Sequence, residues 1–190
     1  MKAMIETEHL KPDLVTWDPV DFSLPRKPSA VAVIIFDNES EDPNILFIRR
    51  STRLGSHRGQ IGFPGGRLEL GDENPRATAL REAAEEVNLR PEEVNVLGAT
   101  DPVLALDGSL VYPIIGYTKS ACQNLQARPT EVSEIHLVPI RFLTSEKQHK
   151  FEFNLFGCWR RSFLYDCGSI SVWGLSAEIL AKANLRVKFF

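Results

Sequence analysis

The stretch GGRLELGDENPRATALREAAEEVNL, residues 65–89, joins a glycine-rich loop to a helix and decides the fold. Alanine, leucine and valine recur along one side of the predicted helix. Asn88 stands where a left-handed residue is expected to end it. At ~100° per residue, Glu85 and Glu86 lie within about 60° of Glu82 around the helix axis, on the side opposite the apolar residues. The sequence therefore predicts an amphipathic helix with three crowded carboxylates.

Like charges at these spacings repel, each pair costing roughly 0.2–0.5 kcal/mol. One interpretation is a solvated helix face, which is what most charge runs are. The alternative is a cation site, and the upstream segment 59–73 favours it because its glycines let the backbone approach a ligand closely. Carboxylate oxygens hold Mg²⁺, and Mg²⁺ bridges phosphate oxygens. The loop and the helix together predict a site for a divalent cation and a diphosphate.

The segments around this stretch predict strands and one further helix. The apolar run at 30–36 and the run at 45–50 are predicted to form a hairpin with a long connection. A sequence this long implies one domain, with a mixed sheet covered on both faces. Further strands are expected at 94–100, 110–118, 134–140 and 151–156, a helix at 141–146, a second good helix at 171–185 and a long structured loop at 51–74.

The 190 residues are expected to divide into an N-terminal arm, 1–29, packed on a domain formed by 30–190. The net charge is −3, so nucleic acid is not an expected partner. No apolar run approaches the ~20 residues needed to span a membrane. No secretory signal is visible, and three cysteines match no zinc or disulfide pattern. The cytoplasm is the expected location.

The quoted stretch resembles the Nudix box, G-x5-E-x7-R-E-U-x-E-E-x-G-U, where U is aliphatic. Arg81-Glu82, Glu85-Glu86 and Leu89 match, while Asn88 replaces glycine and the loop is one residue longer. The resemblance implies an α/β/α sandwich with a mixed sheet between helices. It also implies an enzyme that hydrolyses a diphosphate bond using Mg²⁺ or Mn²⁺.

The preceding segment, LFIRRSTRLGSHRGQIGFPGG (46–66), is similar to the motif upstream of the box in Nudix coenzyme A pyrophosphatases. That similarity implies cleavage of coenzyme A or its derivatives to 3′,5′-ADP and 4′-phosphopantetheine. Gly55 stands where this branch usually has arginine, and Ile48 where it has threonine. ADP-ribose, a nucleotide sugar or another nucleoside diphosphate derivative therefore remains an alternative substrate. A non-catalytic nucleotide-binding module is an alternative of another class.

The resemblance also implies roles for the acidic residues and for one arginine. Glu82, Glu85 and Glu86 would be metal ligands. Arg81 would hold the loop by pairing with Asp72 or Glu73. The general base is left open between Glu82 and a distal carboxylate such as Glu131 or Glu134, with Glu131 preferred. The predicted catalytic residues are Glu82, Glu85, Glu131 and Arg81.

A basic cluster precedes the box and is predicted to bind the phosphorylated substrate, because local positive charge focuses anions. The predicted substrate-binding residues are Arg50, Arg53, His57, Arg58, Gly65 and Gly66. Arg49 is expected to be a solvated strand end. Trp159 and Trp173 are expected in the core. Homodimers are common in the superfamily, but the sequence identifies no interface.

Overall fold

The computed structural model of the protein describes residues 3–6, 28–37, 42–52, 58–119, 122–155, 157–184 and 186–189. Two helices, α1 and α2, span Pro75–Val87 and Gly174–Ala183. The strands in chain order are β1 (Ala3–Glu6), β2 (Ser29–Phe36), β3 (Asn44–Arg50), β4 (Ile61–Gly62), β5 (Gly65–Arg67), β6 (Asn95–Ala99), β7 (Val103–Leu104), β8 (Leu110–Thr118), β9 (Val132–Pro139), β10 (Gln148–Leu155), β11 (Cys158–Asp166), β12 (Ser171–Trp173) and β13 (Arg186–Phe189).

The central sheet is mixed, as predicted. Its main strand order is β4-β3-β2-β8-β6, with β5 paired to β2, β7 to β8 and β9 to β3. β2 and β8 run parallel, whereas β2 and β3 form the predicted antiparallel pair. β2 is a continuous apolar run because both of its faces are covered.

Each face of the central sheet packs against a different helix. On one face, Ile34 of β2 packs in a cluster with Ala83 and Val87 of α1. On the other, Val33 and its neighbours pack with Ile179 of α2. The structure therefore confirms the predicted sandwich of a mixed sheet between helices. The arrangement places the carboxylate side of α1 beside β5 and the loop before it.

Two smaller sheets complete the chain. β10, β11 and β12 form an antiparallel sheet, and Tyr165 and Val172 from it join the core cluster that contains α2. β1 pairs with β13, so residues 3–6 of the predicted arm contact the end of the chain. The rest of the arm, 7–27, lies outside the described residues. Within the described part of the chain, no helix is long and apolar enough to cross a membrane.

Three local predictions were wrong. The helix expected at 141–146 is replaced by two short 3₁₀ turns, Ile140–Phe142 and Ser145–Lys147, because Thr144 between them has an extended backbone (φ −75°, ψ 159°) that ends the helical path. The loop expected at 51–74 contains β4 and β5, which complete the sheet edge. Trp159 and Trp173 are 71% and 51% exposed. Trp159 lies on the same face of the smaller sheet as the buried Tyr165 but near the start of β11, away from the core, whereas Trp173 lies on the opposite face.

Candidate active site

The ends of α1 are fixed by the residues that flank it. The side chain of Asn74 accepts a hydrogen bond from the Ala77 N–H at 2.9 Å, which caps the first turn. At the other end, Asn88 has φ 57° and donates its N–H to the Ala84 carbonyl. Asparagine tolerates this left-handed conformation, so it can replace the glycine of the box here. The glutamates between these caps are consequently held at fixed positions beside the loop.

Glu86 is the most buried of the three helix carboxylates. Its side chain is 2% exposed, and Oε2 accepts a hydrogen bond from the Gly65 N–H at 2.9 Å. Arg50 Nη1 lies 3.6 Å from Oε1. Burial raises the pKa of Glu86 to about 7, and the charges of Glu82 and Glu131 act in the same direction. Glu86 therefore lies in a cluster of negative groups that the local cations only partly neutralise.

Glu82 lies one helical turn earlier and contacts the loop through Gly66. A methyl group added at Gly66 would lie 2.2 Å from Glu82 Oε1, closer than any real contact. Burial raises the pKa of Glu82, and the charges of Glu85 and Glu131 add to the effect against the opposing influence of Arg81. The absence of a side chain at Gly66 therefore makes room for the Glu82 carboxylate.

Gly65 packs equally closely, in this case against the backbone of β2. Its φ is +159°, and an added Cβ would lie 2.4 Å from the Ala30 carbonyl oxygen and 2.7 Å from Val31 Cα. These are backbone atoms, which cannot move aside cheaply. Substrate binding by the two loop glycines stays a prediction. The structure shows that Gly65 and Gly66 let the loop pack against β2 and the helix carboxylates.

Arg81 ties the loop to the helix, and Asp72 is its partner. Nε and Nη2 of Arg81 lie 3.0 Å from the two oxygens of Asp72. Nη2 also donates to the Arg67 carbonyl at 3.2 Å, while Nη1 contacts Glu82 at 3.1 Å and Glu85 at 3.4 Å. Of the two partners left open by the box spacing, Asp72 therefore forms the pair.

The pairing makes Asp72 an anchored carboxylate. Burial acts to raise its pKa, but hydrogen bonds from Arg81, the Glu69 N–H and Thr78, together with the charge of Arg81, hold the pKa below its usual value. In turn, the hydrogen bonds with Asp72 raise the pKa of Arg81. Such a two-pronged, charge-assisted pair fixes both orientation and distance.

Glu131 approaches the helix carboxylates from the segment before β9. The Arg128 N–H donates to the Glu86 carbonyl at 2.9 Å, and the Ser51 N–H donates to the Glu131 carbonyl at 2.8 Å. The Arg128 side chain lies 3.4 Å from Glu131 and 3.9 Å from Glu85. Backbone hydrogen bonds to α1 and to the end of β3 thus bring the distal carboxylate to the site.

Sequence reasoning missed Arg128. The available signal was its position three residues before Glu131, the spacing at which residues of a turn face each other. Glu134, the other distal carboxylate considered, pairs with Arg49 at 2.9 Å and His136 at 3.0 Å. Arg49 is therefore an ion-paired residue of β3, not the solvated strand end that was expected.

The basic cluster is only partly described. Arg53 and His57 lie outside the described residues, and Arg58 is exposed at the turn before β4. Arg50 points toward Glu86, as noted above. Its Nε is buried and has no hydrogen-bond partner in the part of the chain that the structure describes. An unused cationic N–H beside the carboxylates is a donor from which a phosphate oxygen can accept a hydrogen bond.

The carboxylates around α1 are the donors available to a metal ion. Within the described residues, no three His, Cys, Asp or Glu side chains already converge on one point. The donor chemistry nevertheless fits a hard divalent cation, because Glu82 and Glu86 are carboxylates whose pKa values are raised by burial and by neighbouring negative charges. The residues able to hold the ion are Glu82 and Glu86, with Glu85 at the exposed margin.

The sequence of this chain is similar to those of known proteins. The model of the NUDIX domain matches residues 26–156. The chain is 39% identical over 147 residues to an uncharacterized Nudix hydrolase, NudL, of Photorhabdus laumondii, covering 77% of this chain and 78% of that protein. It is 32% identical over 172 residues to the chloroplastic Nudix hydrolase 22 of Arabidopsis thaliana, covering 87% of this chain and 56% of that longer protein.

Solved structures share the fold at low sequence identity. The binary complex of a C. elegans Ap4A hydrolase superposes with a TM-score of 0.51 at 18% identity, covering 60% of this chain and 80% of that one. A MutT/nudix family protein from Enterococcus faecalis gives a TM-score of 0.51 at 18% identity, covering 88% of this chain and 63% of that one. These likenesses concern the architecture.

Proposed function

Because the chain belongs to the Nudix hydrolase family and is thus a hydrolase of diphosphate bonds, we propose that it cleaves the diphosphate of coenzyme A or its derivatives. The products would be 3′,5′-ADP and 4′-phosphopantetheine. The coenzyme A assignment is supported by the motif at 46–66 that precedes the box.

The observation that carries the diphosphatase chemistry is the acidic cluster facing an unused cationic donor. Burial raises the pKa values of Glu82 and Glu86, and the charge of Glu131 adds to the effect at both carboxylates, as expected of a site that receives positive charge. Arg50 Nε is the buried donor without a partner beside them. The combination is suited to a cation that bridges to phosphate oxygens, with an arginine for a further oxygen.

Nudix hydrolases generally use divalent cations, and we propose Mg²⁺ or Mn²⁺ here. Such an ion, when bound, neutralises the diphosphate and lowers the pKa of a water that attacks phosphorus. Glu82 and Glu86 would hold it, with Glu85 as a third ligand or acting through water. Arg81 acts through its neighbours, because its contacts with Asp72 and Glu82 fix the loop and the helix relative to each other.

Glu131 is the proposed general base. Its backbone is fixed to β3 through Ser51, and its charge acts on both Glu82 and Glu86. A carboxylate at that place can accept a proton from a water held near the other two. Glu82 remains the alternative base, in which case Glu131 would act as a positioning residue.

A substrate panel tests the proposal. The protein with Mg²⁺, and separately with Mn²⁺, is incubated with coenzyme A, acetyl-coenzyme A, ADP-ribose and nucleotide sugars, and products are identified by mass. We expect 3′,5′-ADP from the coenzyme A substrates. Cleavage of ADP-ribose or nucleotide sugars alone would contradict the coenzyme A assignment and favour the broader alternative that Gly55 leaves open.

Two matched variants separate an enzyme from a nucleotide-binding module. Glu86→Gln removes a proposed ligand, and Glu73→Gln makes the same change at an exposed loop residue. We expect Glu86→Gln to lose at least 100-fold in turnover while Glu73→Gln keeps it. Turnover unchanged in Glu86→Gln would remove the ligand assignment. Nucleotide binding without any turnover in the unsubstituted protein would favour the non-catalytic module. A cytoplasmic location stays a prediction.

A further inference from the structure

The strand β10 forms one edge of the three-stranded sheet. Within the described residues it pairs with β11 alone, and no described strand pairs with the N–H and C=O groups that alternate residues of Gln148–Leu155 direct to its outer side. An exposed edge of this length is a template for adding another strand. Proteins commonly protect such edges with lysine, proline or a bulge, and β10 has a lysine, Lys150, followed two residues later by a glutamate, Glu152.

The pairing of β10 with β11 shows which side chains share a face. Lys150 pairs with Phe163 and Glu152 with Arg161, so Lys150 and Glu152 lie on the same face. Phe151 pairs with Ser162 and lies on the opposite face. There its ring is 6.0 Å from the ring of Phe153, and Phe151 is 38% exposed. The strand therefore offers charges on one face and aromatic rings on the other.

Symmetry restricts how β10 can pair with a second copy of itself. In an antiparallel pair, directly opposite residues lie on the same face of the sheet. When the two strands are copies of each other, the two-fold axis perpendicular to the sheet must therefore lie at a residue, which then faces its own copy, and it cannot lie between two neighbouring residues. Near the middle of β10 the axis can lie at Lys150, Phe151, Glu152 or Phe153. An axis at Phe153 would pair only residues 151–155 and leave Lys150 with no opposite residue in the strand. Of the other three, only Phe151 avoids opposing a charge with its own copy. The first choice opposes Lys150 with its own copy, and the third does the same with Glu152. Both place like charges together, which is unfavourable.

We propose that β10 of one copy pairs antiparallel with β10 of a second copy about a two-fold axis at Phe151. In this register Lys150 of each copy lies opposite Glu152 of the other, giving two symmetric opposite-charge pairs. Phe151 lies opposite its own copy on the other face. Gln148 lies opposite Asn154, and the two sheets become one continuous six-stranded sheet.

The charges needed for this pairing are available. Lys150 is exposed and makes no ion pair within the described part of the chain. Glu152 bonds Arg161 at 2.9 Å, but both side chains are mostly exposed and Glu152 can accept a second donor. The symmetric arrangement also covers aromatic surface that is otherwise half exposed. Charge thus selects the register, and ring burial with backbone hydrogen bonds provides the attraction.

Charge reversal tests the register directly. Sedimentation velocity over a concentration series is expected to show a monomer–dimer equilibrium for the unsubstituted protein. Lys150→Glu and Glu152→Lys should each raise the dimer dissociation constant at least tenfold, because both symmetric pairs change sign at once. The double variant K150E/E152K should restore it. An equimolar mixture of the two single variants should form heterodimers, since one strand is then negative and the other positive.

Controls and a second measurement keep the test decisive. Lys119→Glu and Glu92→Lys make the same charge changes at exposed residues outside this sheet and should leave the dissociation constant unchanged. Circular dichroism checks that each variant is folded. In addition, Phe151→Cys should form an intermolecular disulfide on mild oxidation, whereas His149→Cys on the same face should not, because it does not lie opposite itself.

Several results would overturn the proposal. A protein that stays monomeric at the highest concentration would do so, as would a dimer whose dissociation constant ignores the charge reversals. Equal crosslinking of the two cysteine variants would point to a different surface or register. The proposal concerns assembly and is independent of the substrate, so the outcome of the coenzyme A assay has no bearing on it.

Discussion

Replacing Gly66 by alanine should lower turnover far more than it lowers the free energy of unfolding. The added methyl would lie 2.2 Å from Glu82 Oε1 and 2.3 Å from its carboxyl carbon. Those atoms are the far end of a flexible side chain, so Glu82 can rotate away at small cost. We expect the free energy of unfolding to fall by no more than about 1 kcal/mol, within the range of ordinary substitutions.

The catalytic loss should be much larger. The displaced Glu82 carboxylate would no longer lie beside Glu86, so a cation would lose one of its two principal ligands. Changes that reorient a ligand typically cost 10–100-fold in metal affinity or activity. We therefore expect Gly66→Ala to lower turnover of the diphosphate substrate by roughly 10–100-fold and to raise the Mg²⁺ concentration for half-maximal activity.

Two glycine neighbours supply the controls. An added Cβ at Gly62 meets only Ser176 Oγ at 3.5 Å, an ordinary contact, so Gly62→Ala should preserve turnover. Gly65→Ala would collide with backbone atoms of Ala30 and Val31 and should destabilise the protein by about 2 kcal/mol or more. The assays are urea denaturation and a Mg²⁺ titration of turnover. Normal turnover and Mg²⁺ dependence in folded Gly66→Ala would refute the proposed role of Glu82.

Three further predictions follow from the ion pairs and pKa values. Asp72→Ala should lower the free energy of unfolding by about 2 kcal/mol, and adding Arg81→Ala should cost less than the sum of the single changes; additivity in urea denaturation would show that the pair is not coupled. In the metal-free protein the pKa of Glu86 is raised from an ordinary 4.5 to about 7, so between these pH values the native state holds a proton that the unfolded state has released. The free energy of unfolding should therefore fall by at most about 3 kcal/mol as the pH rises through this range. Glu86→Gln should flatten this pH dependence, and an unchanged slope would contradict its assignment to Glu86. Burial raises the pKa of the Cys167 thiol from 9.0 to about 11. Because the thiolate is the reactive form, alkylation of Cys167 at pH 8 should be up to about 100-fold slower in the native protein than in the urea-unfolded protein. Peptide mass spectrometry follows the reaction, and equal rates would refute the burial argument.

Local periodicity was sufficient to predict α1, its carboxylate face and the left-handed residue at Asn88. These features depend on neighbours three or four residues apart, which the sequence contains directly. The buried strands β2, β3 and β8 were predicted for the same reason, since continuous apolar runs indicate strands covered on both faces. The family resemblance rested on the same local motif.

Other features depended on how distant segments meet. The spacing left Asp72 and Glu73 equal as partners of Arg81, and only the path of the loop over α1 brought Asp72 within 3.0 Å. β11 and β12 were not predicted, because mixed polar and aromatic residues give a half-exposed strand a weak pattern. Trp159 was expected in the core on hydrophobicity alone, yet it lies near the start of β11, six residues from the buried Tyr165 on the same face, where the core does not cover it.

The sequence by itself determined the acidic helix, the glycine loop before it and hence the family and the class of chemistry. Tertiary structure alone decided that Arg50 faces Glu86, that Arg128 lies 3.9 Å from Glu85 of α1, and that β10 is left at an edge. The physical reason is that a helix or strand is specified by residues near in the chain. A pairing between segments far apart in the sequence depends on which packing of the whole chain buries most apolar surface with its polar groups satisfied.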